Sequence, residues 1–131
     1  MGWMSGPRTL TRHYVILKIL RELKPKSILE VGFGNGDLLL KLNSKGFSGL
    51  GIDFSKEACE EFKKKTRGKE LKFEIRNCSV EELVGVETFD LLLACEVLEH
   101  IEGDLNTLKN WYRPIKRGGH ILLSIPAHMK M

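Results

Sequence analysis

The chain has no apolar run that approaches the roughly 20 residues a helix needs to cross a bilayer. Its first residues, MGWMSGPRTLTRHY, contain no apolar h-region, so we expect no secretory signal. The three cysteines are odd in number and have no close-paired spacing, which argues against a disulfide framework or a zinc site. Internal repeats and linkers are also missing. These absences indicate a cytoplasmic protein with no membrane partner.

The composition is that of one ordinary folded domain: 131 residues, 42% of them apolar and 29% charged. The net charge of +4 comes largely from scattered lysines, with one basic cluster between Lys63 and Lys69. That cluster falls at a predicted helix end, where cations suit the helix dipole. A nucleic-acid surface would need basic residues gathered on one face with aromatics between them. We therefore expect no nucleic-acid partner.

Hydrophobic periodicity predicts strands and helices in alternation. The first helix, Thr9 to Leu23, stops before Pro25, and Ser55 is a plausible N-cap for a later one. Predicted strands cover 27–32, 48–53, 71–76, 89–95 and 120–125; predicted helices cover 36–45 and 56–65, a short turn of helix covers 79–83, and a last helix ends at 113. This order predicts a doubly wound, parallel α/β sheet. Residues 1–8 are expected to be a flexible segment and residues 9–131 one domain.

The chain is organised around a glycine turn that joins the first strand to a leucine-rich helix. Glycines stand at every second position, Gly32, Gly34 and Gly36, where an open α/β sheet makes a nucleotide site. A dinucleotide fingerprint would read G-x-G-x-x-G, so the third glycine comes one residue early. Asp37, in the first helical turn, would oppose a pyrophosphate but tolerate a ligand that carries an ammonium and a sulfonium. A glycine-rich turn that binds no ligand is the alternative.

An acid, Glu30, stands two residues before the first glycine, and the stretch then reads E-x-G-x-G-x-G. It resembles the first motif of the class I S-adenosylmethionine-dependent methyltransferases, and the later E-V-L-E-H segment is similar to type 11/12-like members. The resemblance extends from about Thr9 to His128. It implies a Rossmann-like sheet of five strands in the order 3-2-1-4-5 with helices on both faces. It also implies methyl transfer from S-adenosylmethionine, with S-adenosylhomocysteine as product, to an acceptor that we expect to be a small molecule.

The residues and the resemblance together predict a set of cofactor contacts at the ends of the first four strands. These are Glu30, Gly32, Phe33, Gly34, Gly36, Asp53, Phe54, Asn77, Cys78, Ser79, Cys95 and Glu96.

Asp53 ends the second predicted strand, 21 residues after Gly32, about the distance at which such folds place an acid for ribose hydroxyls. Its carboxylate can accept from both hydroxyls, and Phe54 beside it can lie against the adenine. Alone, an Asp after a strand is more often a turn or cap residue. The glycine turn favours the ribose role, and the resemblance implies it.

Asn77, Cys78 and Ser79 follow the third predicted strand. Family members usually have an acid here that hydrogen-bonds the adenine amino group. The side-chain carbonyl of Asn77 can accept the same bond. An ordinary Asn/Ser turn before a short helix is an equal alternative.

The segment from Cys95 to His100, CEVLEH, follows the fourth strand and in the resemblance borders both the methionine part of the cofactor and the acceptor. On a helix, Glu96, Glu99 and His100 would share one face, and such a set suits Mg²⁺ or Mn²⁺. We expect no metal, because many members of the superfamily carry the same letters without one, and keep the three as weak candidates. His100 is the candidate general base for an acceptor hydroxyl, with a packing role as its alternative.

The last motif, Arg117 to Pro126, is similar to the family's K-P-G-G-x-L-x-x-x-x-P and predicts a turn at Gly118-Gly119 before the fifth strand. Phe33 and residues 127–128 are candidates for the acceptor side. Family members usually continue with a helix and an antiparallel strand pair, whereas this chain stops at Met131. We expect a shortened product of a longer gene, with impaired catalysis. The exposed edge of its fifth strand would favour self-association.

Two other functions stay open. A cofactor-binding module without chemistry, acting as a partner subunit, would keep Gly32, Gly34 and Asp53 yet methylate nothing. An NAD-dependent oxidoreductase is disfavoured by the glycine spacing and by Asp37. In an in-line methyl transfer the protein mainly supplies orientation, so the motifs predict the cofactor contacts and leave the acceptor open.

Overall fold

A computed structural model describes residues 7–83, 88–95 and 105–124. Its helices are α1 (Pro7–Leu23), α2 (Asp37–Ser44), α3 (Lys56–Lys65) and α4 (Leu105–Tyr112). Its strands are β1 (Ile28–Val31), β2 (Gly49–Asp53), β3 (Phe73–Asn77), β4 (Phe89–Cys95) and β5 (Ile115–Ser124), with a short 3₁₀ helix at Val80–Leu83.

The five strands form one sheet in the order β3-β2-β1-β4-β5, and each neighbouring pair is parallel. This confirms the α/β class and the strand order implied by the sequence. β1 is central, with Ile28 opposite Gly49 on one side and Leu91 on the other. The chain order reverses direction between β1 and β4, and open α/β sheets bind ligands beyond the carboxyl ends of their strands at such a point.

Two hydrophobic clusters cover the two faces of the sheet, as a buried parallel sheet requires. Alternate residues of β1 and β4 point to opposite clusters because successive strand side chains alternate between faces. One cluster contains side chains of α1, α2 and α3, including Leu20, Leu39 and Phe62. The other contains Leu83 of the 3₁₀ helix and Trp111 of α4. Helices therefore lie on both faces, as expected.

The first helix and the third begin where local chemistry favours a start. α1 begins at Pro7, two residues earlier than expected, and proline suits the first helical position. Residues 7 and 8 are thus helical rather than part of the expected flexible segment, whose residues 1–6 lie outside the described chain. Ser55 caps α3 as predicted, because its Oγ accepts a hydrogen bond from the Ala58 N–H at 3.1 Å.

The fifth strand begins five residues earlier than the sequence predicts, at Ile115. Phe89 pairs with Ile115 and Leu91 with His120, so β5 has extra residues that bulge out of the pairing. The predicted turn at Gly118-Gly119 was therefore wrong, since both glycines lie inside this irregular strand. A Cβ at Gly119 would approach Asp90 O to 2.7 Å, which explains the need for glycine there.

In the described part of the chain, no helix combines the length and the apolar character that crossing a membrane requires.

The close approach of β1 and β2 predicts the cost of adding one methyl group at Gly49. This residue has φ +152°, and a Cβ there would lie 1.9 Å from Ile28 O in the neighbouring strand. Gly46→Ala is the matched control, because that glycine also has positive φ (+91°) but has no atom within 4 Å of its Cβ position. We expect Gly46→Ala to lower the free energy of unfolding by about 1–2 kcal/mol and Gly49→Ala by at least about 3 kcal/mol.

Urea denaturation of both variants measures the difference. Equal losses in the two variants would contradict the account of this strand contact.

Candidate functional site

The glycine turn leaves the carboxyl end of β1 and is tied to β2. The Gly32 N–H donates to Ile52 O at 2.8 Å, and the Gly36 N–H donates back to Phe33 O at 2.9 Å. All three turn glycines have positive φ, +70° at Gly32, +59° at Gly34 and +82° at Gly36, a region that other residues adopt at a cost. The turn thus brings main-chain atoms to the edge of the sheet where strand ends converge.

Packing under the turn explains Gly36 and corrects one expectation. A Cβ at Gly36 would lie 2.2 Å from two ring atoms of Phe62, which is fully buried. The Phe33 ring packs against the same Phe62 ring, with 5.4 Å between centroids, and is itself buried. The expectation that Phe33 lines the acceptor side was therefore wrong for its side chain, because this contact draws the ring into the core.

Asp53, at the end of β2, joins the glycine turn to the start of α3. Its Oδ2 accepts from the Gly34 N–H at 3.0 Å, and its Oδ1 accepts from the Ser55 N–H at 2.9 Å. A carboxylate can accept about four hydrogen bonds, so each oxygen keeps capacity for a further donor. The side chain is 8% exposed, which places that capacity at the floor of the site. Two sequence-predicted residues, Gly34 and Asp53, are thus in direct contact.

The two residues expected to meet an adenine lie on either side of this carboxylate. Phe54 is 76% exposed, so its ring is accessible to a ligand. Asn77 pairs with Asp53 across β3 and β2, and its Nδ2 donates to Asp53 O at 2.9 Å. The Asn77 side chain thus uses its N–H group for a hydrogen bond within the protein. Its side-chain carbonyl remains an acceptor for a ligand.

The remaining described candidates, Cys78, Ser79 and Cys95, are half-buried at the ends of β3 and β4. Ser79 O accepts from the Glu82 N–H at 3.3 Å and so starts the 3₁₀ helix. Cys78 packs against the cluster that contains Trp111, and burial raises the pKa of its thiol. Cys95 packs against the opposite cluster, the one that contains Phe62. Both thiols are partly withdrawn into the protein, whereas Asn77 is exposed.

Glu30 is the most unusual charged residue of the site. It lies on central strand β1, is only 2% exposed, and its Oε1 accepts no hydrogen bond within the described residues. Burial, and secondarily the negative charge of Asp53, raises the pKa of Glu30 to about 8. Buried polar atoms nearly always have partners, and the described residues supply none for this oxygen. A ligand ammonium group would fit this requirement.

An open cleft of about 550 Å³ lies beside the turn, between it and α3. It is lined by Gly34, Asn35, Ser55, Glu57, Ala58, Glu61, Phe62 and Lys65. Only Gly34 among them is a predicted cofactor contact, so we place the candidate site at the strand ends rather than in this cleft.

Lys65 supports the turn from the side of this cleft. Its Nζ donates to Asn35 O at 2.6 Å and lies 3.8 Å from Asp37 Oδ1. Sequence reasoning missed this contact, because Lys65 and Asn35 are 30 positions apart and no local pattern links them. Asp37, counted in the sequence as a charge against pyrophosphate, is here close to a lysine.

Several predicted residues lie outside the described residues and stay predictions. They are Glu96, Glu99, His100 and residues 127–128. Among the residues that the structure does describe, no group of three His, Cys, Asp or Glu side chains is placed to hold a metal ion.

Comparisons with known proteins identify relatives of this chain and of its fold. A family model described as "Methyltransferase domain" matches residues 29–123. The ubiquinone biosynthesis O-methyltransferase of Rickettsia typhi is 30% identical over 114 residues, which cover 85% of this chain and 46% of that protein. The corresponding protein of Alkalilimnicola ehrlichii is 31% identical over 111 residues, covering 83% and 45%. The chain thus spans about half the length of the curated relatives it matches.

Solved structures of low identity share the fold. N-methyltransferase NodS from Bradyrhizobium japonicum, in complex with S-adenosylhomocysteine, superposes with a TM-score of 0.77 at 22% identity, covering 92% of this chain and 63% of that one. TehB from Haemophilus influenzae gives a TM-score of 0.74 at 17% identity, covering 92% and 43%.

Glu30 predicts an unusual pH dependence of stability. Because its pKa rises from 4.5 to about 8 on folding, the folded protein holds this proton more tightly. The stabilisation that this proton gives the folded state is fully present below about pH 4.5 and is lost as pH rises through about 8. We expect Glu30→Gln, which does not titrate, to lose less free energy of unfolding than wild type between about pH 5 and pH 8.5. The difference should reach a few kcal/mol, at about 1.4 kcal/mol per pH unit.

Urea denaturation at several pH values tests this, with Glu60→Gln as control because that side chain is 66% exposed. Parallel pH profiles for wild type and Glu30→Gln would show that Glu30 is not the group responsible.

Proposed function

This chain belongs to the methyltransferase domain family, and on that premise we propose that it methylates a small molecule with S-adenosylmethionine, releasing S-adenosylhomocysteine. The observation that carries the proposal is the hydrogen bond of 3.0 Å between Gly34 and Asp53, beside Glu30 of β1, whose Oε1 has no donor among the described residues. The spare acceptor capacity of Asp53 suits the hydroxyl groups of a ligand. The buried carboxyl of Glu30 beside the glycine turn suits an ammonium group.

Each part of the cofactor has a candidate partner. Asp53 would accept hydrogen bonds from the ribose hydroxyls, and the exposed Phe54 ring would lie against the adenine. The Asn77 carbonyl would accept from the adenine amino group, and Glu30 would receive the ammonium of the methionine part. The cofactor supplies a methyl group activated by its sulfonium. The chain's own residues bind and orient it, which is most of what an in-line transfer asks of a protein.

The acceptor is proposed to be a small molecule with a reactive hydroxyl. This is supported by the relatives from Rickettsia typhi and Alkalilimnicola ehrlichii, which are named as O-methyltransferases of ubiquinone biosynthesis. A hydroxyl acceptor must lose its proton, and His100 remains the proposed base. Binding of the cofactor without methylation of any acceptor would instead favour a partner subunit without chemistry of its own.

We further propose that the chain acts in the cytoplasm and that β5 pairs with another chain. The three cysteines form no disulfide, as a reducing compartment favours. Within the described sheet, β5 has β4 as its single neighbour, so its other edge can pair with a further strand. Light scattering over a concentration series should show an average mass above that of one chain. A single-chain mass at every concentration would contradict the pairing.

Calorimetric titration with S-adenosylhomocysteine tests the cofactor assignment directly. We expect wild type to bind it and Asp53→Ala to bind about 10- to 150-fold more weakly, because hydrogen bonds to a charged group contribute about 1.5–3 kcal/mol. Glu60→Ala, on an exposed face of α3, should bind like wild type.

NAD serves as the competing ligand in the same experiment. Tight binding of NAD with none of S-adenosylhomocysteine would overturn the proposal and favour an oxidoreductase. Thermal unfolding of Asp53→Ala controls for loss of fold, since Asp53 also ties the turn to α3.

A further inference from the structure

We propose that Glu30 holds a proton in the ligand-free protein and loses it when a ligand ammonium group binds, so that cofactor binding releases one proton. The inference rests on the proposed function and concerns how pH regulates the same site.

The surroundings of Glu30 favour its neutral form before a ligand binds. It stands opposite Gly51 on one neighbouring strand and Leu93 on the other, and neither offers a polar side chain. Its carboxyl is 2% exposed, and Oε1 has no donor in the part of the chain described. A buried carboxylate without donors pays a large desolvation cost, which protonation avoids. Burial accordingly raises the pKa of Glu30 to about 8.

The titratable groups packed around the same cluster do not reverse this preference. Cys59 of α3 and Cys95 of β4 belong to or pack against the cluster that contains Phe62. His13 of α1 contacts Lys41 of α2, and Asp53 ends the neighbouring strand β2. Asp53 is the one whose charge shifts Glu30, and it acts in the same direction as burial.

The two neighbouring acids therefore take different roles. Asp53 accepts two hydrogen bonds from backbone N–H groups, at 3.0 and 2.9 Å. Glu30 has no such donors on Oε1 and carries the proton.

The binding of a ligand ammonium group favours the charged form of Glu30. The ammonium donates a hydrogen bond to the Glu30 carboxyl, which gives its proton to water and becomes the ammonium's counter-ion. One positive charge enters the site and one proton leaves, so the net charge of the site is unchanged. Affinity should rise about tenfold per pH unit well below pH 8 and level off above it.

Calorimetry in two buffers of different ionisation enthalpy measures the released proton. At about pH 6.5 we expect S-adenosylhomocysteine binding to wild type to release close to one proton, falling as pH rises past 8. The matched ligand is 5′-methylthioadenosine, which lacks the amino acid part and should release none. Glu30→Gln should release none with either ligand, and Glu60→Gln should behave like wild type.

The outcomes separate the inference from the function on which it rests. Binding of S-adenosylhomocysteine with no proton release at pH 6.5 overturns the inference and leaves the proposed function standing. Release by Glu30→Gln equal to wild type assigns the proton to another group and also overturns it. Absence of S-adenosylhomocysteine binding overturns the proposed function and the inference with it. The comparison of the two ligands uses wild type alone and does not depend on the folding of the variant.

Discussion

The hydrogen bond from the Gly34 N–H to Asp53 Oδ2, 3.0 Å long, joins the two strand ends on which the candidate site depends. It can form because β1 and β2 run parallel in unbroken register and end at the same edge of the sheet. Gly49 permits the close approach of the strands at their other end, where a Cβ would collide with Ile28 O. The second oxygen of Asp53 accepts from Ser55, so one buried carboxylate fixes both the turn and the start of α3.

The two acids of the site differ in what surrounds them, and that difference gives each a role. Asp53 accepts hydrogen bonds from two main-chain N–H groups and keeps acceptor capacity for hydroxyls. Glu30 is buried on the central strand, and the described part of the chain offers its Oε1 no donor. Such a residue lowers stability as pH rises, so packing alone gives no reason for it. A ligand that brings its own cation supplies the missing partner.

Local patterns in the sequence predicted the parallel α/β sheet, whereas its strand order was implied by the family resemblance. Local patterns also predicted the glycine turn and Asp53, which the structure brings into contact. The glycine spacing marked the turn, and the distance from Gly32 to Asp53 marked the acid beside it. Structural features that depend on contacts between residues far apart in the sequence could not be predicted from local patterns. The direction of the Phe33 ring depends on Phe62, and the start of β5 depends on the pairing of Phe89 with Ile115. The hydrogen bond from Lys65 of α3 to Asn35 in the glycine turn is likewise a long-range contact, which hydrophobic periodicity does not predict.

The most direct test of the central claim, that the cofactor binds at the ends of β1, β2 and β3, is a chemical-shift titration of the ¹⁵N-labelled chain with S-adenosylhomocysteine. The account predicts large shifts for the amides of residues 32–36, 53–55 and 77–79. It predicts small ones at the opposite edge of the sheet, where the Lys26 and Ser27 amides donate to Asp90. Shifts confined to the cleft residues Glu57 and Glu61, or none at saturating ligand, would contradict it.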